Sequence, residues 1–465
     1  MIHDIYDGII IPIILENKIM KRSNLLYLEK WFLQKDRKPL VLRGARQVGK
    51  THLVRQFAET RKLDLIEINF EFQPEAMSLF ESYDVVKIKN LIKLTYGKSL
   101  GLQSVLFLDE LQAAPSMFKV LRFLYEVKVD FAIIAAGSLL EFTFSETEMS
   151  VPVGRLEYHF LGPVNFKEFL NAKNENDLIA FIESFHAKDI IPPPVHNKIS
   201  NLFQEYLSIG GMPEVVHSFL NRQDFNDCDR IKNLIINTYE DDFHKYKKRV
   251  PWERIRKVFR SIPQQLGNKF KYSKVTTEEK AKSLSQALDL LCMAQVAHKV
   301  SHSSAQGLPL GSQIHENYFK ILFLDFGLCN TLLGLNTSNL YTSQNLNSLF
   351  KGELFEQIVG QHLLFSSQAY MPPELYTWAR EKAGSSAEVD FLITCEHQII
   401  PIEVKSGSTG HLKSLLFFLE ERSLPLGIRI NTEPPSLMTI KQSQLLSLPI
   451  YMVTEIRRLC SELLN

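Results

Sequence analysis

The sequence predicts an α/β protein of several domains, and three stretches carry that expectation. A short apolar strand, Leu40 to Leu42, runs into Gly44, Gly49, Lys50 and Thr51, and Leu53, Val54, Phe57 and Ala58 follow at helical spacing. A second apolar run, "SVLFLDELQ", ends on Asp109 and Glu110. Far along the chain, "AEVDFLITCEHQIIPIEVKSG" reads as two strands carrying Asp390, Glu403 and Lys405. Strands that alternate with helical spacing point to α/β units. A chain of 465 residues is too long for one hydrophobic core, so about two to four domains are expected.

Composition narrows the class. Apolar residues make 45% of the chain and charged residues 23%, the balance of a globular protein. Formal charge is 53 − 52 = +1, so no global field announces a nucleic acid. The charge is uneven: from Lys245 to Lys282 there are 13 Lys or Arg and three acidic residues. That excess suits a polyanion such as DNA, and equally suits a solvated helical face. Five cysteines, Cys228, Cys292, Cys329, Cys395 and Cys460, are widely spaced with no CxxC. They suggest neither a disulfide framework nor a zinc site and fit a reducing cytoplasm. The run "GIIIPIIL" is too short to span a membrane, and Asp4 and Asp7 before it do not suit a signal peptide.

The first element is a phosphate-binding core. Gly44, Gly49, Lys50 and Thr51 fit G-x-x-x-x-G-K-[ST] between a strand and a helix. Glycines let backbone N–H groups converge on phosphate oxygens, and a helix N-terminus favours negative charge. Lys50 is expected to reach the β- and γ-phosphates and Thr51 to ligate Mg²⁺. At the end of the second strand Asp109 suits Mg²⁺ and Glu110 suits orientation of the attacking water. A third strand, "FAIIAAGS", ends on Ser138, a γ-phosphate contact or a plain turn serine. Arg155 follows in "PVGRLEYHF". It suits either transition-state charge on a neighbouring subunit of a homo-oligomer or an ordinary surface ion pair.

In this order, "RGARQVGKT", "LDELQ", "AAGSLL", "GR" and "PVNFKEFL" resemble the AAA-type ATPases of a large prokaryotic family of ATP-binding proteins. The members carry a C-terminal domain of unknown function. The resemblance covers nearly the whole chain. It implies a P-loop ATPase domain over 21–165, after an N-terminal extension over 1–20, with ATP and Mg²⁺ as ligands.

Residues 166–245 read as a helical linker. "LFQEYLSIGGMPEVVHSFL" holds a helix, a Gly210-Gly211 break and a helix opened by Pro213. Over 246–340, helices followed by "AQVAHKVSHSS" and "KILFLDFGLCN" suggest a winged helix with a two-strand wing. Its basic helices would give salt-dependent, weakly selective DNA contact, or it serves as a spacer packed on protein.

Over 345–465 the opening hairpin returns. Glu356 on a helix, Asp390 on a strand and Glu403-x-Lys405 on the next resemble the restriction-endonuclease fold and its PD-(D/E)xK motif, although Val389 stands before Asp390. Alternation puts Glu403 and Lys405 on one face. Asp390 and Glu403 would share Mg²⁺, Lys405 would hold the attacking water or offset charge on the phosphate, and Glu356 would support them or add a further ligand. A salt-bridged docking hairpin is the competing reading. The expected function is ATP hydrolysis with Mg²⁺ whose nucleotide state controls the later modules. The rivals are an ATP-regulated DNA nuclease and a nucleotide-gated docking switch.

Overall fold

The computed structural model describes residues 5–6, 9–10, 20–138, 140, 154–246, 250–342, 352–366, 368–380, 387–405 and 412–465. Its first sheet holds β1 (Leu40–Arg43), β2 (Asp64–Asn69), β3 (Ser104–Asp109), β4 (Ala132–Ala136) and β5 (Glu157–Phe160), in the order β2-β3-β4-β1-β5. Every pairing is parallel, with Leu40 opposite Ile134 on one side and Glu157 on the other. Parallel neighbours need crossovers, and α1 (Lys50–Arg61) supplies the first. Both faces are covered, and the central strands β3 and β4 are buried along their whole length. Leu40 and Leu42 enter one core and Val41 the other, as a period of two requires.

Beyond the short helices Phe166–Ala172 and Asn176–Ser184 come α2 (Pro193–Ile209), α3 (Pro213–Arg222) and α4 (Phe225–Asp242). Proline opens α2 and α3, where its missing N–H costs nothing. Between them the chain turns on Gly210, at φ 89°. A Cβ there would lie 2.7 Å from the Gly327 Cα, so only glycine lets the two backbones meet. Next come α5 (Trp252–Ser261), α6 (Ala281–Met293), α7 (Phe326–Leu332) and α8 (Gly352–Leu364).

The second sheet is mixed and eight-stranded. Its strands are β6 (Ala297–Ser303), β7 (Ile314–Phe323), β8 (Leu375–Ala379), β9 (Glu388–Cys395), β10 (Gln398–Val404), β11 (Leu426–Asn431), β12 (Ser436–Ile440) and β13 (Ser443–Pro449). They lie in the order β12-β13-β11-β10-β9-β8-β6-β7. The expected wing is the β6–β7 hairpin, but β6 also pairs in parallel with β8, Val300 opposite Leu375. The wing is therefore the edge of the C-terminal sheet. The strand ladder thus continues from the 246–340 region into the 345–465 region. Local patterning shows a hairpin and is silent about a partner so far along the chain.

A single apolar cluster runs from Leu28 and Leu42 through α2 and α4 to Ile402 and Cys460. At its centre lies Asp325, fully buried. Its Oδ1 accepts from the Leu328 N–H at 3.1 Å and caps α7, and its Oδ2 accepts from the Gly211 N–H at 2.8 Å. Burial pushes its carboxyl above the usual range, and these N–H donors pull it back. The Gly211 carbonyl in turn accepts from Val164 N–H at 2.7 Å. Asp325→Ala would uncap α7 and leave the Gly211 N–H buried without an acceptor. The expected cost is about 2–4 kcal/mol in urea unfolding. Asp325→Asn keeps an acceptor and is expected to lose less; equal losses would contradict the role given to the Gly211 bond.

Candidate functional site

The strand order places the C-terminal ends of β1 and β3 around one crevice, where open α/β sheets take ligands. Gly49 stands at φ 93° immediately before α1, a left-handed conformation that lets the loop turn into the helix. Lys50 is 8% exposed, and its Nζ donates to the Gly44 and Ala45 carbonyls at 2.9 and 2.8 Å. Burial pulls its ammonium down to about 8, with Glu110 and Asp109 working in the opposite direction. The Thr51 hydroxyl donates to Asp109 Oδ2 at 2.8 Å, and the Glu110 N–H donates to Asp109 Oδ1 at 3.0 Å. Burial pushes the Asp109 carboxyl up, and the Thr51 hydroxyl draws it back.

Glu110 is itself in a left-handed conformation, φ 51° and ψ 47°. Such a backbone is costly for a residue with a side chain and recurs at functional sites. Its carboxylate accepts from the Gln112 amide. Ser138 is buried at the end of β4, and its Oγ has no partner among the described residues. Thr51 and Asp109 have the donor chemistry to hold Mg²⁺, and the Ser138 hydroxyl is a polar group still to be satisfied.

The loop is braced from three sides by residues that sequence reasoning missed. Arg22 donates to the Val48 and Gly162 carbonyls, both at 2.8 Å, and pairs with Glu168 at 3.2 Å. The Tyr239 hydroxyl donates to the Arg46 carbonyl at 2.5 Å, and Arg46 pairs with Asp242 at 2.7 Å. Pro213 abuts the loop, 3.6 Å from where a Cβ on Gly49 would stand. Only Glu168 carried a signal, the Asn165…Glu168 capping box. Arg155 lies elsewhere. It precedes β5 at the end paired with Leu40, opposite the P-loop end of the sheet, 3.5 Å from Glu126.

The structure also gathers the C-terminal candidates, around a residue the sequence reading did not name. Lys320 of β7 is 2% exposed. Its Nζ lies 2.7 Å from Glu356 Oε1, 2.6 Å from Glu388 Oε1 and 3.6 Å from Asp390 Oδ1. Burial opposes its charge, but the Glu356, Asp390 and Glu388 carboxylates outweigh it and raise its pKa. Asp390 Oδ2 accepts from the Val404 N–H at 2.8 Å. Glu403 pairs with Lys405 at 2.5 Å, and its other oxygen is buried without a hydrogen-bond partner. Burial pushes the Glu356 carboxyl up to about 8, and burial with the Asp390 charge pushes Glu403 up to about 7. Among the described residues no group of three or more His, Cys, Asp or Glu is placed to hold a metal ion. A lone lysine inside "YFKILFLDF" was the available signal.

Four cations of the basic stretch are paired with acids. Arg256 and Arg260 pair with Glu240 at 2.9 and 2.6 Å. Arg254 and Lys257 pair with Glu279, which is itself inside the stretch. Lys247, Lys248 and Arg249 lie outside the described residues. No described helix is long and apolar enough to cross a membrane.

The five-stranded parallel sheet, the P-loop and the Asp109–Thr51 pair define an AAA-type P-loop ATPase domain. Comparison with known families agrees: residues 36–170 match the family described as AAA domain. Residues 200–339 and 351–451 match two domains of unknown function, DUF8612 and DUF4143. The chain thus joins an AAA domain to a C-terminal DUF4143 domain. No curated protein matches it. Several solved structures match it at low identity. They include the Thermotoga maritima RuvB Holliday junction branch migration motor, at 14% identity and TM-score 0.27, over 60% of this chain and 90% of that one. The Aeropyrum pernix ORC2 protein, in ADPNP–ADP complexes, aligns at 11% identity and TM-score 0.30, over 68% and 91%. Domain III of the Thermotoga maritima replication initiation protein DnaA aligns at 13% and 0.24, over 41% and 85%.

The Lys50 geometry has a measurable consequence. Its folded value of about 8 lies below the 10.5 of a free lysine. The unfolded chain therefore binds more protons between those values, and the nucleotide-free protein gains stability as pH rises through that window. Phosphate charge beside the ammonium would raise its pKa again. ATP binding is expected to take up protons increasingly from about pH 7 to about pH 9. Calorimetry in buffers of different ionisation enthalpy measures this. Binding without uptake would remove Lys50 from the phosphate contacts.

Proposed function

We propose that this protein binds and hydrolyses ATP with Mg²⁺, and that the bound nucleotide acts on the helical and C-terminal parts of the chain. The observation that carries the reading is the convergence of Lys50, Thr51, Asp109 and Glu110 at one crevice. Lys50 already sits on two loop carbonyls, so it can exchange neutral acceptors for phosphate oxygens. Thr51 and Asp109 would hold Mg²⁺, which neutralises charge on the β- and γ-phosphates. Glu110 would orient the attacking water, after its carboxylate turns from Gln112. Ser138 offers an unsatisfied hydroxyl for the γ-phosphate end of the site.

Control of the later parts rests on contacts at the loop. Pro213, Tyr239 and Asp242 come from α3 and α4 and touch the loop or Arg46. Two residues before Pro213, Gly211 is bonded to Asp325. A change at the P-loop therefore meets a helical layer tied to the C-terminal sheet. The pairing of Arg254, Arg256, Lys257 and Arg260 with two glutamates lowers the charge that DNA would meet at 245–282, so DNA is not assigned as the partner.

Lys50→Ala is expected to abolish ATP binding in a fluorescent-nucleotide titration. Glu110→Gln is expected to bind ATP and lower phosphate release by about 10²-fold or more. Turnover by Glu110→Gln at the parent rate would remove Glu110 from the mechanism, and loss of binding in that variant would make its role structural.

A further inference from the structure

The carboxylates over 345–465 match the order of a metal-dependent nuclease, so the test is whether their oxygens could receive a metal. Glu356 Oε1 and Glu388 Oε1 are at ion-pair distance from the Lys320 ammonium, 2.7 and 2.6 Å, and Asp390 Oδ1 is at 3.6 Å. Asp390 Oδ2 is held by the Val404 N–H, and Glu403 Oε1 by Lys405. One oxygen of the motif, Glu403 Oε2, is buried without a hydrogen-bond partner. A magnesium ion demands an octahedron of oxygens at about 2.1 Å. It would have to take these oxygens from an ammonium already among them, and two cations sharing the same carboxylates repel. Lys320 is 2% exposed and is set in the side of β7 facing α8, so it cannot withdraw to solvent while the strand stays paired. The donor set does not fit a divalent ion.

We propose that Lys320 is the resident cation of this site: its ammonium takes the place of a metal among Glu356, Glu388 and Asp390, and makes the site a metal-independent clamp instead of a phosphodiesterase centre. The clamp joins four elements: β7 by Lys320, α8 by Glu356, β9 by Glu388 and Asp390, and β10 by the Val404 N–H. Three of these elements, α8, β9 and β10, carry the residues that a nuclease of this layout would use to hold its metal. Here they hold the edge of the sheet onto its helix. The reading is independent of ATP turnover, since it concerns the second sheet alone.

Mn²⁺ binding to the full-length, nucleotide-free protein tests it by electron paramagnetic resonance. The wild type and Asp390→Asn are expected to give the same free Mn²⁺ signal at every concentration. A bound fraction in the wild type that Asp390→Asn loses would overturn the proposal. Supercoiled plasmid with Mg²⁺ or Mn²⁺ and ATP gives a second arm. No nicking is expected from the wild type, and nicking that Lys405→Ala abolishes would overturn the proposal. Lys320→Gln removes the ammonium and leaves the carboxylates. It is expected to unfold at a lower temperature than the wild type and to regain part of the loss with Mn²⁺, whereas the wild type does not respond. A Mn²⁺ response equal in both proteins would also overturn it. Where Lys320→Gln does not fold, the comparison with Asp390→Asn decides.

Discussion

The bond between the Asp325 carboxylate and the Gly211 N–H ties together parts of the chain that lie 114 residues apart in sequence. One buried acid joins the turn between α2 and α3 to the start of α7, and Gly211 passes the connection to Val164 at the end of the ATPase region. Two motifs that look unrelated in sequence, "IGGMPE" and "LDFG", become one object. Gly210 and Gly327 let the backbones approach, and Asp325 satisfies the donors this approach buries. A carboxylate without those N–H groups would cost several kcal/mol to bury, on the order of the whole stability of a domain. The motif is therefore a packing joint, and its aspartate is unavailable for chemistry.

Two buried lysines show how environment separates a binding group from a structural one. Lys50 faces neutral carbonyls, and burial pulls its ammonium down to about 8. It is under-compensated, and an anion arriving in the loop would stabilise its charge. Lys320 faces three carboxylates, which raise its pKa in spite of burial. It is fully compensated, and nothing further is gained by a ligand. In the roles proposed for them, the same side chain at similar depth would be a receptor in one sheet and a rivet in the other, and the difference is the charge of its neighbours.

Much of the first site was legible in sequence because its chemistry is local. Gly49, Lys50 and Thr51 are consecutive, and Asp109 and Glu110 end a strand recognisable by its apolar run. The five-stranded sheet follows from strands of that kind separated by helical spacing. What escaped was set by tertiary approach. Arg22, Tyr239 and Asp242 reach the P-loop from elements with no motif of their own. The pairing of β6 with β8 turned an expected wing into the edge of a larger sheet. In the hairpin, period-two alternation named the motif residues but was silent about Lys320, since a residue on a different strand is invisible to spacing. In the charge run at 245–282, spacing was likewise silent about Glu240, which lies outside it and pairs with Arg256 and Arg260.

Helix α8 brings these constraints onto one element. Glu356 meets Lys320, Gln357 exchanges two hydrogen bonds with the Phe323 backbone at 2.9 and 2.8 Å, and Gln361 accepts from the Phe326 N–H at 3.0 Å. Its polar side chains are thus bonded to the C-terminal end of β7 and into the joint around Asp325. A helix held at successive turns cannot slide along its strand without breaking charged and neutral bonds together in a buried setting. A displacement begun by nucleotide at the P-loop would reach Gly211 and Asp325 and then move α8, β7 and the Lys320 cluster as one body. The compliance of the chain must lie on the other side of that joint, among the contacts of α3 and α4 around the loop, such as the Arg46–Asp242 pair.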